Sequence, residues 1–183
     1  PASHVSPDHL KTDVLTVRLR RHATPLTGGT CLAPAGVDMA RAIGAREPAA
    51  DLVVSSPQLR ARQTAGLIAG RLDSDLGQLD LADYLFAHFE APWTWEQFDA
   101  DIEAPWRAHG RATLDALARR AKLIDARTVQ AVSHSGVVQA AIVAAGGGAW
   151  QAAYNQHTLG YAEGAVLHCE GGRWRVGFRL LDF

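Results

Sequence analysis

Two imidazoles and two guanidiniums stand out in this chain, because each falls where a β-prone run gives way to a turn or a helix. Arg21-His22 follows the branched run at residues 14–19. Ser55-Ser56-Pro57, with Arg60, closes the run at residues 51–55. Ser133-His134-Ser135-Gly136 follows the run at residues 128–132. In an open α/β sheet, ligands bind outside the carboxyl ends of the strands. A helix that begins there offers free N–H groups and the positive end of its dipole. Two His and two Arg on such an edge suit an anion, and the donor fork of Arg matches phosphate oxygens.

The elements that must position these residues are legible as alternating strands and helices. A helical pattern runs from Val37 through Ala40, Ile43 and Ala45. Ser56-Pro57 reads as a second helix start, with Ser accepting from free N–H groups and Pro in the first position, and this helix runs to about Ala69. Residues 113–121 carry Leu114, Leu117 and Ala118 on one helical face, and residues 137–145 form a helix that stops at Gly146-Gly147-Gly148. Runs at 165–169 and 174–178 flank Gly171-Gly172 as a hairpin. This order predicts a three-layer α/β/α sandwich with a mostly parallel central sheet. Residues 73–108 have weak periodicity and hold Trp93, Trp95, Trp106, Phe86, Phe89 and Phe98. They are expected to form an aromatic-rich excursion over the site. Residues 1–12 read as a loose tail and 13–183 as a single domain.

Composition narrows the function. The 183 residues carry 18 Lys+Arg and 19 Asp+Glu, a formal net charge of -1, so no basic surplus recommends nucleic acid as partner. Attraction for a phosphate must come from a few placed cations. No apolar run approaches the roughly 18 residues of a membrane span, and no membrane partner is expected. Cys31 and Cys169 form no CxxC, and His88, His109, His157 and His168 share no metal-ligand spacing. A cytoplasmic location without metal or other cofactor is the expectation. The sequence leaves the oligomeric state open.

These motifs resemble the histidine phosphatase, or phosphoglycerate mutase-like, superfamily over roughly residues 14–180. Arg21-His22-Ala23 is similar to the family's Arg-His-Gly, and residues 32–44 to the segment that follows it. Residues 55–65, SSPQLRARQTA, are the most specific match. Residues 133–136, SHSG, resemble the second-histidine motif. The resemblance implies that His22 is the nucleophile that carries the phosphoryl group. It implies that Arg21 and Arg60 hold phosphoryl oxygens, and that His134 completes the pocket and helps to neutralise charge. Ser135 either donates to phosphate or caps its helix. Arg62 stands two residues from Arg60, on nearly the opposite helix face, and is read as a solvated surface residue.

The same resemblance implies a carboxyl group that protonates the leaving oxygen and later serves as base. In residues 81–90, Asp83 falls on the family's acid, although Ala87 replaces its Gly; Glu90 and Glu96 remain alternatives. The family's mutases carry a Trp-Asn pair and a Gly-Glu-Ser, where this chain has Leu26 to Gly28 and Gly110-Arg111-Ala112. Those departures set phosphoglycerate mutase activity aside. The implied function is a metal-independent phosphomonoesterase acting on a small phosphorylated metabolite. A protein phosphohistidine phosphatase and a non-catalytic phosphate-binding module remain the alternatives.

Overall fold

The computed structural model describes residues 13–81, 105–146 and 159–180. Six strands form one sheet: β1 (Leu15–Arg21), β2 (Leu52–Ser55), β3 (Ser74–Asp75), β4 (Thr128–Ser133), β5 (Gly164–Glu170) and β6 (Arg173–Leu180). Their spatial order is β3-β2-β4-β1-β5-β6. β3, β2, β4 and β1 are mutually parallel, β5 runs antiparallel to β1, and β6 pairs antiparallel with β5. The fold is α/β with a mixed, mostly parallel sheet. Four helices accompany it among the described residues: α1 (Pro34–Gly44), α2 (Leu59–Ala69), α3 (Pro105–Leu123) and α4 (Ser135–Gly146).

The period of two in the strands divides the core into two layers. Leu52 and Val54 point to the layer shared with Leu114, Leu117 and Ile142 of α3 and α4. Val53, between them, packs instead with Ala61 and Ala65 of α2. All four residues of β2 are buried, as expected for a parallel strand covered on both faces. α3 and α4 approach closely, because a Cβ on Gly110 would stand 2.2 Å from the carbonyl oxygen of Ala140.

Three boundaries differ from the sequence reading, each for a local reason. α2 begins at Leu59 with Gln58 as its cap residue, so Ser56 and Pro57 lie before the helix rather than opening it. Ser56 still accepts the Gln58 N–H, at 3.2 Å, but its other bonds lead into the site. α3 reaches back to Pro105, eight residues earlier than expected from Thr113. Trp106, Gly110, Thr113 and Leu117 are buried along its length, so Trp106 belongs to the main core and not to an excursion. The short β3 and the 3-10 turn Gly77–Leu79 also lie within the segment read as irregular. Asp83, Glu90, Glu96, Trp93, Trp95 and the proposed tail, residues 1–12, lie outside the described residues.

Candidate active site

The chain's chemistry-bearing motifs meet at the carboxyl ends of β1, β2 and β4. Parallel pairing aligns these ends: Arg21 stands opposite Ser133, and Ser55 opposite Val132. The alignment continues past the strands, where His22 N–H donates to Ser133 O at 2.8 Å and Ser56 N–H to Val132 O at 2.9 Å. α2 and α4 start at this same edge, so Arg60 and Ser135 occupy their first turns.

His22 is buried, and its two ring nitrogens have distinct partners. Nδ1 lies 2.8 Å from the Ala23 carbonyl oxygen, which can only accept, so Nδ1 carries the proton. Nε2 accepts from Arg60 Nε–H at 3.1 Å. The lone pair of Nε2 therefore points at the cations. Arg60 Nη2 also approaches His134 Nδ1 at 3.4 Å, and the two imidazole rings meet edge to face with centroids 5.3 Å apart. Arg21 donates from Nη1 to Leu159 O at 2.6 Å, and its guanidinium carbon lies 3.9 Å over the Tyr161 ring. Arg21, His22, Arg60 and His134 thus form one cluster. Ser135 directly follows His134 as the first residue of α4. Arg62 lies on the surface, in an ion pair with Asp75 at 3.0 Å.

Several positioning residues were not singled out from sequence. Thr64 accepts the Ala23 N–H at 3.0 Å and donates to Arg60 O at 2.8 Å, which ties the His22 turn to the helix that bears Arg60. Gln63 accepts the Leu32 N–H at 2.8 Å. These are the Gln-Thr of SSPQLRARQTA, so the motif's specificity has a structural basis. Tyr161 sits with its ring centroid 5.8 Å from that of His22. Its turn is clipped to the end of β1. Ala162 N–H donates to His22 O, Arg21 N–H donates to Glu163 O, and the buried Arg20 donates to Ala162 O. Ala162 has φ +59°, a left-handed conformation uncommon for alanine, and these bonds hold it there. Tyr161 precedes β5 in a stretch without periodicity, so no sequence signal marked it.

Electrostatics keep both imidazoles neutral. Burial holds the His22 pKa down to about 4; its bond to Ala23 opposes the shift, and Arg21 and Arg60 add to it. Burial holds His134 down to about 3, with His22, Arg60 and Arg21 contributing in the same direction. The Arg21 and Arg60 values are lowered as well, chiefly by burial; Tyr161 and Glu163 oppose the shift at Arg21, and Asp80 and Tyr161 oppose it at Arg60. Both guanidiniums remain cations. Among the described residues, no group of three His, Cys, Asp or Glu could hold a metal ion.

The two depressed histidines make an expected result in acid. Their folded values lie below the ordinary 6.5, so the unfolded chain takes up these protons first as the pH falls. Stability from this source is complete above about pH 6.5 and is lost as the pH falls toward 4 and then 3. Denaturant titrations at pH 7 and pH 4.5 should differ by about 2 kcal/mol or more for each His. His22→Asn should remove part of that slope. A stability that stays flat across this window would contradict the burial of neutral imidazoles.

The sequence and the fold have counterparts elsewhere. A profile of the histidine phosphatase superfamily, branch 1, matches residues 22–179. A mutant phosphoserine phosphatase from Entamoeba histolytica, in complex with phosphoserine, superposes with a TM-score of 0.64 at 16% identity, covering 90% of this chain and 96% of the other. A phosphoglycerate mutase from Bacillus anthracis gives 0.64 at 16% identity over 91% and 93%. An alpha-ribazole phosphatase from Shigella flexneri gives 0.59 at 17% identity over 92% and 96%. These likenesses establish the fold. No curated protein matches the sequence. Among the described residues, no helix is long and apolar enough to cross a membrane. Because the profile extends over most of the chain, from His22 to the last strand, this protein belongs to the histidine phosphatase superfamily, branch 1.

Proposed function

We propose that the protein is a metal-independent phosphomonoesterase that carries the phosphoryl group on His22 and passes it to water, with a small phosphorylated metabolite as substrate. The observation that carries this reading is the orientation of His22. Its Nδ1–H is held by Ala23 O, and its Nε2 lone pair faces Arg60. Neutral imidazole with one nitrogen held as a donor is a competent nucleophile. Phosphoryl transfer needs positioning and charge stabilisation, and Arg21, Arg60 and His134 supply cationic or polar contacts around that lone pair.

The proposed reaction has two steps. Nε2 attacks phosphorus as Arg60 moves its donors from the imidazole to phosphoryl oxygens. The P–O ester bond breaks, and the leaving oxygen takes a proton from Asp83. Water then attacks the phosphohistidine while the Asp83 carboxylate accepts its proton. Inorganic phosphate leaves, and His22 returns to its starting tautomer. Arg21 and Ser135 complete the set of donors to the phosphoryl oxygens. Phosphoserine phosphatase and alpha-ribazole phosphatase share the fold, which supports a monoesterase of small molecules.

The test is a panel of phosphorylated metabolites and a phosphohistidine peptide, assayed with chelator present. Hydrolysis of a small phosphomonoester should persist in chelator, because the site's own cations do the work that a metal does elsewhere. Activity abolished by chelator and restored by Mg²⁺ or Zn²⁺ would count against the reading, and so would turnover confined to the peptide.

A further inference from the structure

Behind His134 lies a set of side chains that the proposed chemistry does not use. Ser56 Oγ is 2.8 Å from His134 Nε2 and 3.2 Å from Asp80 Oδ1. The same hydroxyl accepts the Gln58 N–H at 3.2 Å. Asp80 Oδ1 also accepts from Gln58 Nε2 at 2.7 Å and from the Leu81 N–H at 2.8 Å, and it stands 3.8 Å from His134 Nε2. Ser56 and His134 are almost fully buried, so these bonds are not exchanged freely with water. The geometry points to Ser56 and Asp80 as positioning residues that fix His134 as its Nε2–H tautomer and so turn an unprotonated Nδ1 toward the phosphoryl pocket. This inference rests on the proposed place of His134 in that pocket.

Donors and lone pairs at Ser56 decide the tautomer. A serine hydroxyl has one hydrogen and two lone pairs. The Gln58 N–H can only donate to it, and an ionised carboxylate can only accept from it. The hydroxyl hydrogen therefore goes to Asp80, and one lone pair goes to Gln58. The lone pair that remains must receive a hydrogen from His134, which places the proton on Nε2. The other side of the ring gives the same answer independently. Arg60 can only donate, so the nitrogen that faces it at 3.4 Å, Nδ1, must offer a lone pair. Two ends of one imidazole, judged separately, agree on one tautomer.

The consequence concerns charge. When phosphoryl oxygens take the donors of Arg60, Nδ1 is left free to bind a proton from solvent or substrate. The ring then becomes an imidazolium that donates from Nδ1 to the phosphoryl group while Nε2–H stays with Ser56. The Asp80 carboxylate balances that charge through the hydroxyl. In the opposite tautomer, Ser56 would have to donate to Nε2, and Asp80 would lose its hydroxyl partner. The order Asp–Ser–His also differs from a hydrolytic triad, in which the carboxylate holds the imidazole and the imidazole takes the serine proton. Here the carboxylate holds the serine, so Ser56 is not a nucleophile. Oδ1 of Asp80 is likewise already taken by three donors.

Long-range ¹H–¹⁵N spectra of the ring nitrogens test this without substrate. Wild-type His134 should show a protonated Nε2 and an unprotonated Nδ1. Asp80→Asn should shift His134 toward the Nδ1–H form, because a neutral amide oxygen at position 80 accepts the Ser56 hydrogen more weakly than a carboxylate does and lets that hydroxyl turn toward Nε2. In turnover, Asp80→Asn should lower kcat by about 10- to 100-fold, with KM altered by less than about threefold. Asp80→Glu should recover part of the loss. Ser56→Ala should lower kcat similarly, and the double variant should lose little more than either single one, since both break one relay. Should Ser56→Ala fail to fold, Asp80→Asn decides alone, because its carboxyl lies partly at the surface. An unchanged His134 tautomer in Asp80→Asn, or fully additive losses in a folded double variant, would overturn the relay. A wild-type protein that hydrolyses no phosphomonoester would sink the functional reading instead, and the ring spectra would still judge the tautomer.

Discussion

His22→Ala is expected to abolish phosphoenzyme formation and to lower kcat/KM by about 10⁴ or more. The size follows from what is removed. Nε2 of His22 carries the lone pair that Arg60 meets at 3.1 Å, and on the proposed reading the substitution leaves the cations without a nucleophile. Brief reaction with ³²P-labelled substrate should give wild-type protein an acid-labile, base-stable adduct, as a phosphoramidate requires. The variant should give none, while still binding vanadate or phosphate through Arg21 and Arg60. His134→Ala should be slower than wild type but should still label. A stable adduct in His22→Ala would move the covalent step to another residue.

Asp83→Asn should separate substrates by their leaving group. An alkoxide leaves poorly and needs a proton, whereas p-nitrophenolate leaves well without one. Phosphoenzyme formation from an alkyl phosphate should therefore slow by about 10² to 10⁴. The same step with p-nitrophenyl phosphate should suffer far less. Single-turnover rates are the proper measure, because loss of the base would separately slow the attack of water. Asp80→Asn provides the contrast. Its effect passes through His134 and the phosphoryl oxygens, so it should slow both substrates alike. Equal losses in Asp83→Asn would reject it as the acid and direct the same test to Glu90 and Glu96.

The pair Arg60 and Arg62 shows what a sequence can decide. Helix geometry separates their faces, and the structure puts one against His22 and the other in a surface ion pair with Asp75. The strands that bear His22 and His134 were equally legible, because branched runs that stop at polar residues leave little choice. Helix α3 shows a reading that stopped short. Trp106, Gly110, Thr113 and Leu117 recur at helical spacing, but the aromatics clustered at residues 86–106 place the start in a segment that reads as irregular. Asp80 and Tyr161 were out of reach for a different reason. Each lies in a short stretch without a period, and each acquires its role only through contacts far along the chain. Ser56 was read as a helix cap, a local use of its hydroxyl. The structure gives that hydroxyl to His134, a partner 78 residues away.

The described residues on either side of positions 82–104 are tied to the body of the domain. Thr113 of α3 donates to Gln78 O at 3.1 Å, next to the turn that leads into the segment, and Ser133 of β4 donates to Leu79 O beside it. The two attachment points are therefore fixed by the scaffold and not by what lies between them. Insertions, deletions and wholesale replacement can then accumulate between these anchors while Arg21, His22, Arg60 and His134 keep their geometry.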